Sequence, residues 1–251
     1  NVKNDFFIRN LREPKSAYSK IVMAHSPVLY LPMEMSQEGN TINDWSIYKN
    51  DGITSNKKYH SSMLAHGKFG NGLRVSGTSD SSYIYVDDYP KAQFNELTVS
   101  AWVIAESRPI WATIIKNWGD LNHGQFHFGL NEDGYLEVEI SSLEKENVYL
   151  TDPELMPIKK WVHVAFVHNG KELRLSRDGQ AVNHSAINGI NPNILMRSLG
   201  IGSKVSDSDT GIDQGNPGYW DGRLDEVAIF NTALDDEQIK ALYDTVASTV
   251  Q

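Results

Sequence analysis

The sequence predicts an all-β chain folded as a sandwich of two antiparallel sheets, and three stretches carry that prediction. In residues 161–179, Val162, Val164 and Phe166 alternate with His163, Ala165 and Val167, so the segment is apolar on nearly every step. That pattern suits a strand covered on both faces. Asn169-Gly170 follows, and this pair favours a two-residue hairpin because a type I′ turn needs positive φ at both central positions. Leu173 and Leu175 then alternate with Arg174 and Ser176, and Asp178-Gly179 supplies a second turn before a third strand over 180–187. The other two stretches are the apolar run 97–103 around Trp102 and the pair 126–130 and 135–140. In that pair Phe126, Phe128 and Leu130 share one face, and Asn131-Glu132-Asp133-Gly134 makes the turn.

The remaining elements follow in order. Residues 1–12 read as a lead-in strap. Residues 14–24 read as a short helix, with Pro14 at its start, Tyr18, Ile21 and Val22 at helical spacing, and Pro27 beyond its end. Such a helix is expected to cover an edge of the sandwich. The first strand spans 28–34, and 38–56 is a polar loop containing Asp44 and Asn50-Asp51-Gly52. Short strands are expected at 83–86, 113–116 and 199–202, then a polar loop over 203–219 and a closing strand that ends at Phe230. Asp235 to Gln238 resembles a capping box and starts a final helix with Ile239, Leu242 and Val246 on its apolar stripe. No repeat or Pro/Gly linker divides the chain further. The expected organisation is a strap and helix over 1–26 and one sandwich domain over 27–251.

Composition narrows the function classes. The 251 residues carry a formal net charge of −9 and no cysteine. An acidic chain without a basic run is poorly matched to a phosphate backbone, so nucleic acid is not an expected partner. No apolar run approaches the roughly 20 residues that span a bilayer, so direct membrane insertion is not expected. Thiol catalysis and cysteine-ligated zinc are excluded. The chain begins with Asn1 and not Met, which predicts a processed or excised piece of a larger polypeptide.

Three segments together carry a family resemblance. Trp161-Val162-His163-Val164-Ala165 with its hairpin and Asp178-Gly179, Leu97-Thr98-Val99-Ser100-Ala101-Trp102-Val103, and Asp221-Gly222-Arg223-Leu224-Asp225-Glu226-Val227 running on to Leu234 resemble the strand motifs of laminin-G-like, concanavalin A-like jelly rolls. The resemblance implies a two-sheet antiparallel jelly-roll sandwich with short flanking helices at the N- and C-termini. It implies less about activity, because one fold hosts many.

Four groups of residues could carry chemistry. A calcium ion needs six to eight oxygens. Glu34 ends the first strand, Asp225 lies in the last, and the loop from Asp44 to Gly52 is rich in oxygen ligands. Relatives often hold a structural calcium where first and last strands meet, so the resemblance implies Glu34 and Asp225 as its ligands, with Asp44 and Gly52 contributing through main-chain carbonyls. The alternative is that these carboxylates pair with Arg223 or cap turns. The acidic loop Asp207 to Asp213 lacks the closing bidentate Glu of a calcium loop and reads as solvated turn. Glu137 and Glu139 project from one strand face, as a glycoside hydrolase requires of its carboxylates. The hydrolases that the fold resembles carry E-x-D-x-x-E on one strand; here the middle Asp is Glu139 and the last Glu is Ser142, leaving no proton donor at that position. His163 reads as a buried, hydrogen-bonded core residue. Finally, loop tryptophans beside Asn and Asp could stack on a sugar ring. Trp118 and Asp120 in one loop, with Tyr219 and Trp220 in another, are the candidate ligand residues, and the alternative is that each Trp plugs an end of the sandwich.

The sequence therefore predicts a non-catalytic binding module that recognises a carbohydrate or a surface protein through rim loops and is steadied by calcium. The resemblance places it outside the cytoplasm: extracellular, at the cell surface or periplasmic. A hydrolase or lyase using Glu137 and Glu139, and a structural spacer, are the alternatives.

Overall fold

In the computed structural model the described residues are 16–34, 41–55, 64–78, 83–93, 95–121, 124–144, 146–192 and 194–245. The strap over 1–12, His123 and Val246 lie outside them. Among the described residues, sixteen strands form two antiparallel sheets of eight strands each. The first sheet runs β14 (Gln180–Ala186), β13 (Glu172–Arg177), β12 (Val162–Asn169), β7 (Glu96–Ala105), β16 (Asp221–Phe230), β5 (Asn71–Ser76) and β4 (Leu64–His66), with β1 (Leu29–Leu31) also paired to β16. The second runs β11 (Asn147–Leu155), β10 (Tyr135–Ser141), β9 (Phe126–Leu130), β8 (Thr113–Lys116), β15 (Leu199–Ile201), β6 (Ile84–Val86), β3 (Gly52–Thr54) and β2 (Thr41–Ile42). This is the jelly-roll sandwich the sequence predicts.

The core lies between the sheets and follows the period of two. Val99, Ala101, Val103, Val162, Val164 and Phe166 point inward from the first sheet, and Phe126, Phe128, Leu136, Val138 and Ile140 from the second. Phe166 meets the edges of Phe126 and Phe128 at centroid distances of 5.3 and 5.2 Å, locking the layers together. Each fully buried ring contributes roughly 1.5–3 kcal/mol of transfer free energy.

A second apolar layer covers the outer face of the first sheet. Helix α1 (Ala17–Ala24) and helix α2 (Asp236–Asp244) bring Tyr18, Val22, Ile239 and Leu242 onto Tyr30, Trp102, Ala165, Val167 and Phe230. The N-terminal helix thus lies on a sheet face, not along an edge, because Tyr18 and Val22 bury against outward-facing apolar residues of β1, β7, β12 and β16. Ser16 caps α1 by accepting from the Ser19 amide, and Asp235 with Gln238 forms the capping box of α2. His163 is fully buried beside Trp102, 5.1 Å between centroids, yet neither ring nitrogen has a hydrogen-bond partner among the described residues. Burial and the nearby Lys68 hold its pKa down at about 3, so it is a neutral packing group, not a hydrogen-bonded one.

Candidate ligand-binding site on the second sheet

Directly opposed residues of an antiparallel pair share a face. The registers Tyr85↔Gly200, Gly200↔Lys116, Lys116↔His127, His127↔Glu139 and Glu139↔Tyr149 therefore define one row across six strands. Its sequence neighbours Ile84, Phe128, Val138 and Leu150 are in the core, so the row faces outward. Where the outer face of the first sheet is covered by helices, this row is polar. Gly200 allows the turn after β15 to fold down onto the row, since a Cβ there would collide with the Ser203 carbonyl. That turn delivers Lys204, and the loop after β8 delivers Trp118 and Asp120. With Trp111, Lys116 and Glu139 they line an open pocket of about 260 Å³.

The pocket holds charges of both signs, partly withdrawn from water. The Lys204 ammonium pairs with Asp120 and with Asp213, the latter at 3.3 Å. Asn216 donates to Asp120 at 3.4 Å. Burial lowers the Lys116 pKa to about 8, helped by repulsion from Lys204 and opposed by Glu139, Asp120 and Asp213. Burial raises Glu139 to about 6, although Lys116 attracts its charged form and Tyr149 and Asn147 hydrogen-bond to it. Between them in the row, His127 is buried with both ring nitrogens unpartnered among the described residues, and burial and Lys116 drive its pKa well down. Glu137, also on the outer face, accepts from Thr151 Oγ1 at 2.8 Å and from Asn131 Nδ2 at 3.4 Å.

Of the four ligand residues nominated by the sequence, two line this pocket. Trp118 is only 3% exposed and Asp120 stands at the rim. Tyr219 is half-buried against the core. Trp220 is no platform at all: it is fully buried, and its indole N–H donates to the Ile104 carbonyl at 2.9 Å. Gly222, at φ 147°, leaves the room for that contact, because a Cβ would strike the same carbonyl. Trp45 likewise plugs, meeting Tyr30 edge-on. The exposed ring is Trp111, 42% accessible and held at φ 55°. Lys116 and Lys204 were not nominated, since nothing in the run Thr-Ile-Ile-Lys separates a pocket lysine from a solvated one.

The residues expected to hold calcium are engaged with main chain instead. Asp44 accepts from the amides of Tyr30, Ser46 and Asn50 and from the Ser46 hydroxyl, organising the turn before β3. Gly52 packs against Ile84 and Leu31 in the sandwich. Asp225 accepts from the Phe69 and Glu226 amides, and Glu34 from the amide and side chain of Asn71, so both grip the turn before β5. Among the described residues no group of three or more carboxylates or histidines is placed to hold a metal. The carboxylates of Glu34, Asp44 and Asp225 thus each serve as acceptors for groups of this chain. Glu226, beside Asp225 at a bulge of β16, is buried and receives the Tyr30 hydroxyl; burial raises its pKa to about 8, with Glu34 adding to the rise. Asp225 is raised too, by burial and then by Glu226.

A hydrolase would need two carboxylates converging on one bond. Glu139 reaches the pocket, but Glu137 is tied to Thr151 and Asn131, and Ser142 lies beyond β10, buried, with its amide bonded to the Glu146 carbonyl. Asp120 shares the pocket and is held by Lys204.

Comparison with known structures agrees with this architecture. Domain 4 of AbnA, an extracellular arabinanase from Geobacillus stearothermophilus solved with arabinotriose, superposes with a TM-score of 0.61 at 17% identity, covering 87% of this chain and 98% of that one. The binding domain of Paraclostridial mosquitocidal protein 1 gives 0.61 at 15% identity, over 88% of this chain and 52% of that one. The ligand-binding domain of botulinum neurotoxin serotype D, solved with N-acetylneuraminic acid, gives 0.60 at 16%, over 91% and 52%. The chain thus spans about half the length of the toxin binding domains it matches. At these identities the likeness is one of fold. No curated protein matches the sequence. A family model does match, over residues 77–240, which is well over half of the chain, and by that match the protein belongs to the concanavalin A-like lectin/glucanases superfamily.

Proposed function

We propose that this chain is a non-catalytic carbohydrate-binding module of a larger protein working outside the cytoplasm, and that it holds sugar in the pocket on the second sheet. One observation carries the reading: an exposed indole, Trp111, lines a concave site together with two ammonium groups (Lys116, Lys204), two carboxylates (Asp120, Glu139) and the amide of Asn216. A sugar offers an apolar ring face for the first and hydroxyls for the rest. Support comes from the related folds solved with arabinotriose and N-acetylneuraminic acid. Calcium has no part in the reading. A protein partner at the same rim is the second outcome of the test.

The test is a glycan array followed by titration of the bound sugars, read by tryptophan fluorescence. Arabinotriose or another oligosaccharide should quench or shift emission in the wild type and fail to do so in Trp111→Ala. An array without signal would remove the carbohydrate reading.

A further inference from the structure

The specificity of this pocket can be read from how Lys116 and Glu139 are spaced; the inference rests on the carbohydrate reading above. Lys116 on β8 and Glu139 on β10 flank His127 on β9 in a single row. Two inter-strand spacings put their Cα atoms about 10 Å apart. Both side chains line the same pocket, yet among the described residues they form no ion pair with each other, and the Lys116 ammonium has no hydrogen-bond or ion-pair partner. The intervening ring cannot bridge them, because both of its nitrogens are buried and unpartnered among the described residues. A three-proton donor and an acceptor thus face one pocket across a gap.

We propose that Lys116 and Glu139 clamp two adjacent hydroxyls of a neutral sugar, one accepting from the ammonium and the other donating to the carboxylate, while Trp111 covers the ring. Neighbouring sugar hydroxyls can meet the two groups at once, each through one hydrogen bond of about 2.8 Å, because Lys116 and Glu139 line the same pocket without pairing with each other among the described residues. A uronic or sialic acid fits less well. Its carboxylate would share the pocket with the carboxylates of Glu139 and Asp120, and the second lysine, Lys204, is already paired with Asp120 and Asp213. The formal net charge of −9 adds repulsion at long range.

The experiment is calorimetric titration of the whole chain with xylotriose and maltotriose, as neutral probes, and with trigalacturonate. Wild type, Lys116→Met, Glu139→Gln and the opposite-sheet control Arg74→Ala are compared, each first checked for an unchanged melting temperature and for Trp111 fluorescence. The expected result is binding of at least one neutral trisaccharide with trigalacturonate at least tenfold weaker. Lys116→Met and Glu139→Gln should each weaken the neutral sugar about tenfold or more, as befits hydrogen bonds to charged groups, while Arg74→Ala leaves it unchanged. Tighter binding of trigalacturonate, or neutral-sugar affinity unaltered in both pocket variants, would overturn the clamp while leaving the carbohydrate reading intact. Silence from all three sugars, with no fluorescence response, would overturn both. If a pocket variant loses melting temperature, Lys116→Arg, which keeps the charge and the donors, must retain binding for the clamp to stand.

Discussion

Replacing Glu226 by Gln should stabilise this protein in neutral solution, and the amount should grow with pH. The carboxyl is buried at the bulge of β16, beside Asp225 and under the Tyr30 hydroxyl, with no cation paired to it among the described residues. Its folded pKa of about 8 lies above the ordinary 4.5, so the folded state holds a proton that the unfolded chain releases. Stability from this group is complete below pH 4.5 and is lost at about 1.4 kcal/mol per pH unit as pH climbs towards 8. By pH 7 the loss is about 3 kcal/mol. The amide introduced by Glu226→Gln would keep the volume and still accept from Tyr30 but carry no charge. Urea unfolding of both proteins from pH 5 to pH 8 should therefore give curves that diverge, with the variant ahead by about 3 kcal/mol at pH 7 and by about 1 kcal/mol at pH 5. Parallel curves, separated by less than about 0.5 kcal/mol throughout, would show that the folded chain tolerates this ionised carboxylate, and the reasoning would fail.

Other consequences can be checked on the same material. Adding calcium or a chelator should leave the unfolding midpoint where it is, because the acidic residues around the 67–71 turn and the 44–51 turn already accept main-chain N–H groups; a gain near 2.7 kcal/mol, expected of a native-only site at about 100 times its dissociation constant, would restore the metal. Trp220→Phe should cost about 1–3 kcal/mol, since the Ile104 carbonyl loses its buried donor, and sugar affinity should not change; a drop in affinity at full stability would return Trp220 to the site. Below pH 6.5 the folded protein keeps His163 neutral while the unfolded chain protonates it, so stability from this group is present above pH 6.5 and is lost as pH falls toward 3. His163→Phe should then lose about 2 kcal/mol less than wild type between pH 6.5 and pH 5, measured by denaturant midpoints.

The sequence announces most of the fold because the fold is carried by alternation. The meander at Asn169-Gly170 and Asp178-Gly179 forms as expected, since the turn chemistry and the apolar faces agree. What was hidden is instructive. Strand β11, over Asn147–Leu155, carries no sequence signal, because an edge strand exposed on one side holds Asn, Tyr, Thr and Asp with a single buried apolar residue, Leu150. Strands β2 and β3 hold two and three residues, too few for any period to show. The position of a loop tryptophan does not reveal its direction: Trp118 and Trp220 each sit next to an aspartate-bearing, Gly-containing loop segment, yet Trp220 turns fully inward, because its indole finds a carbonyl there, while Trp118 lines the pocket. The site depends on cross-strand register, which joins Lys116, His127 and Glu139 from three strands, and no local pattern encodes that adjacency. The resemblance supplied the architecture, while its calcium ligands met a structure in which the same carboxylates organise turns.

The two helices sit together on the first sheet, and the open row lies on the opposite side of the sandwich. Ser16 and Thr245, which cap these helices, therefore stand on the face of the sandwich away from Lys116 and Glu139. A molecule that docks against the helices and one that meets the row would approach from opposite directions and need not compete.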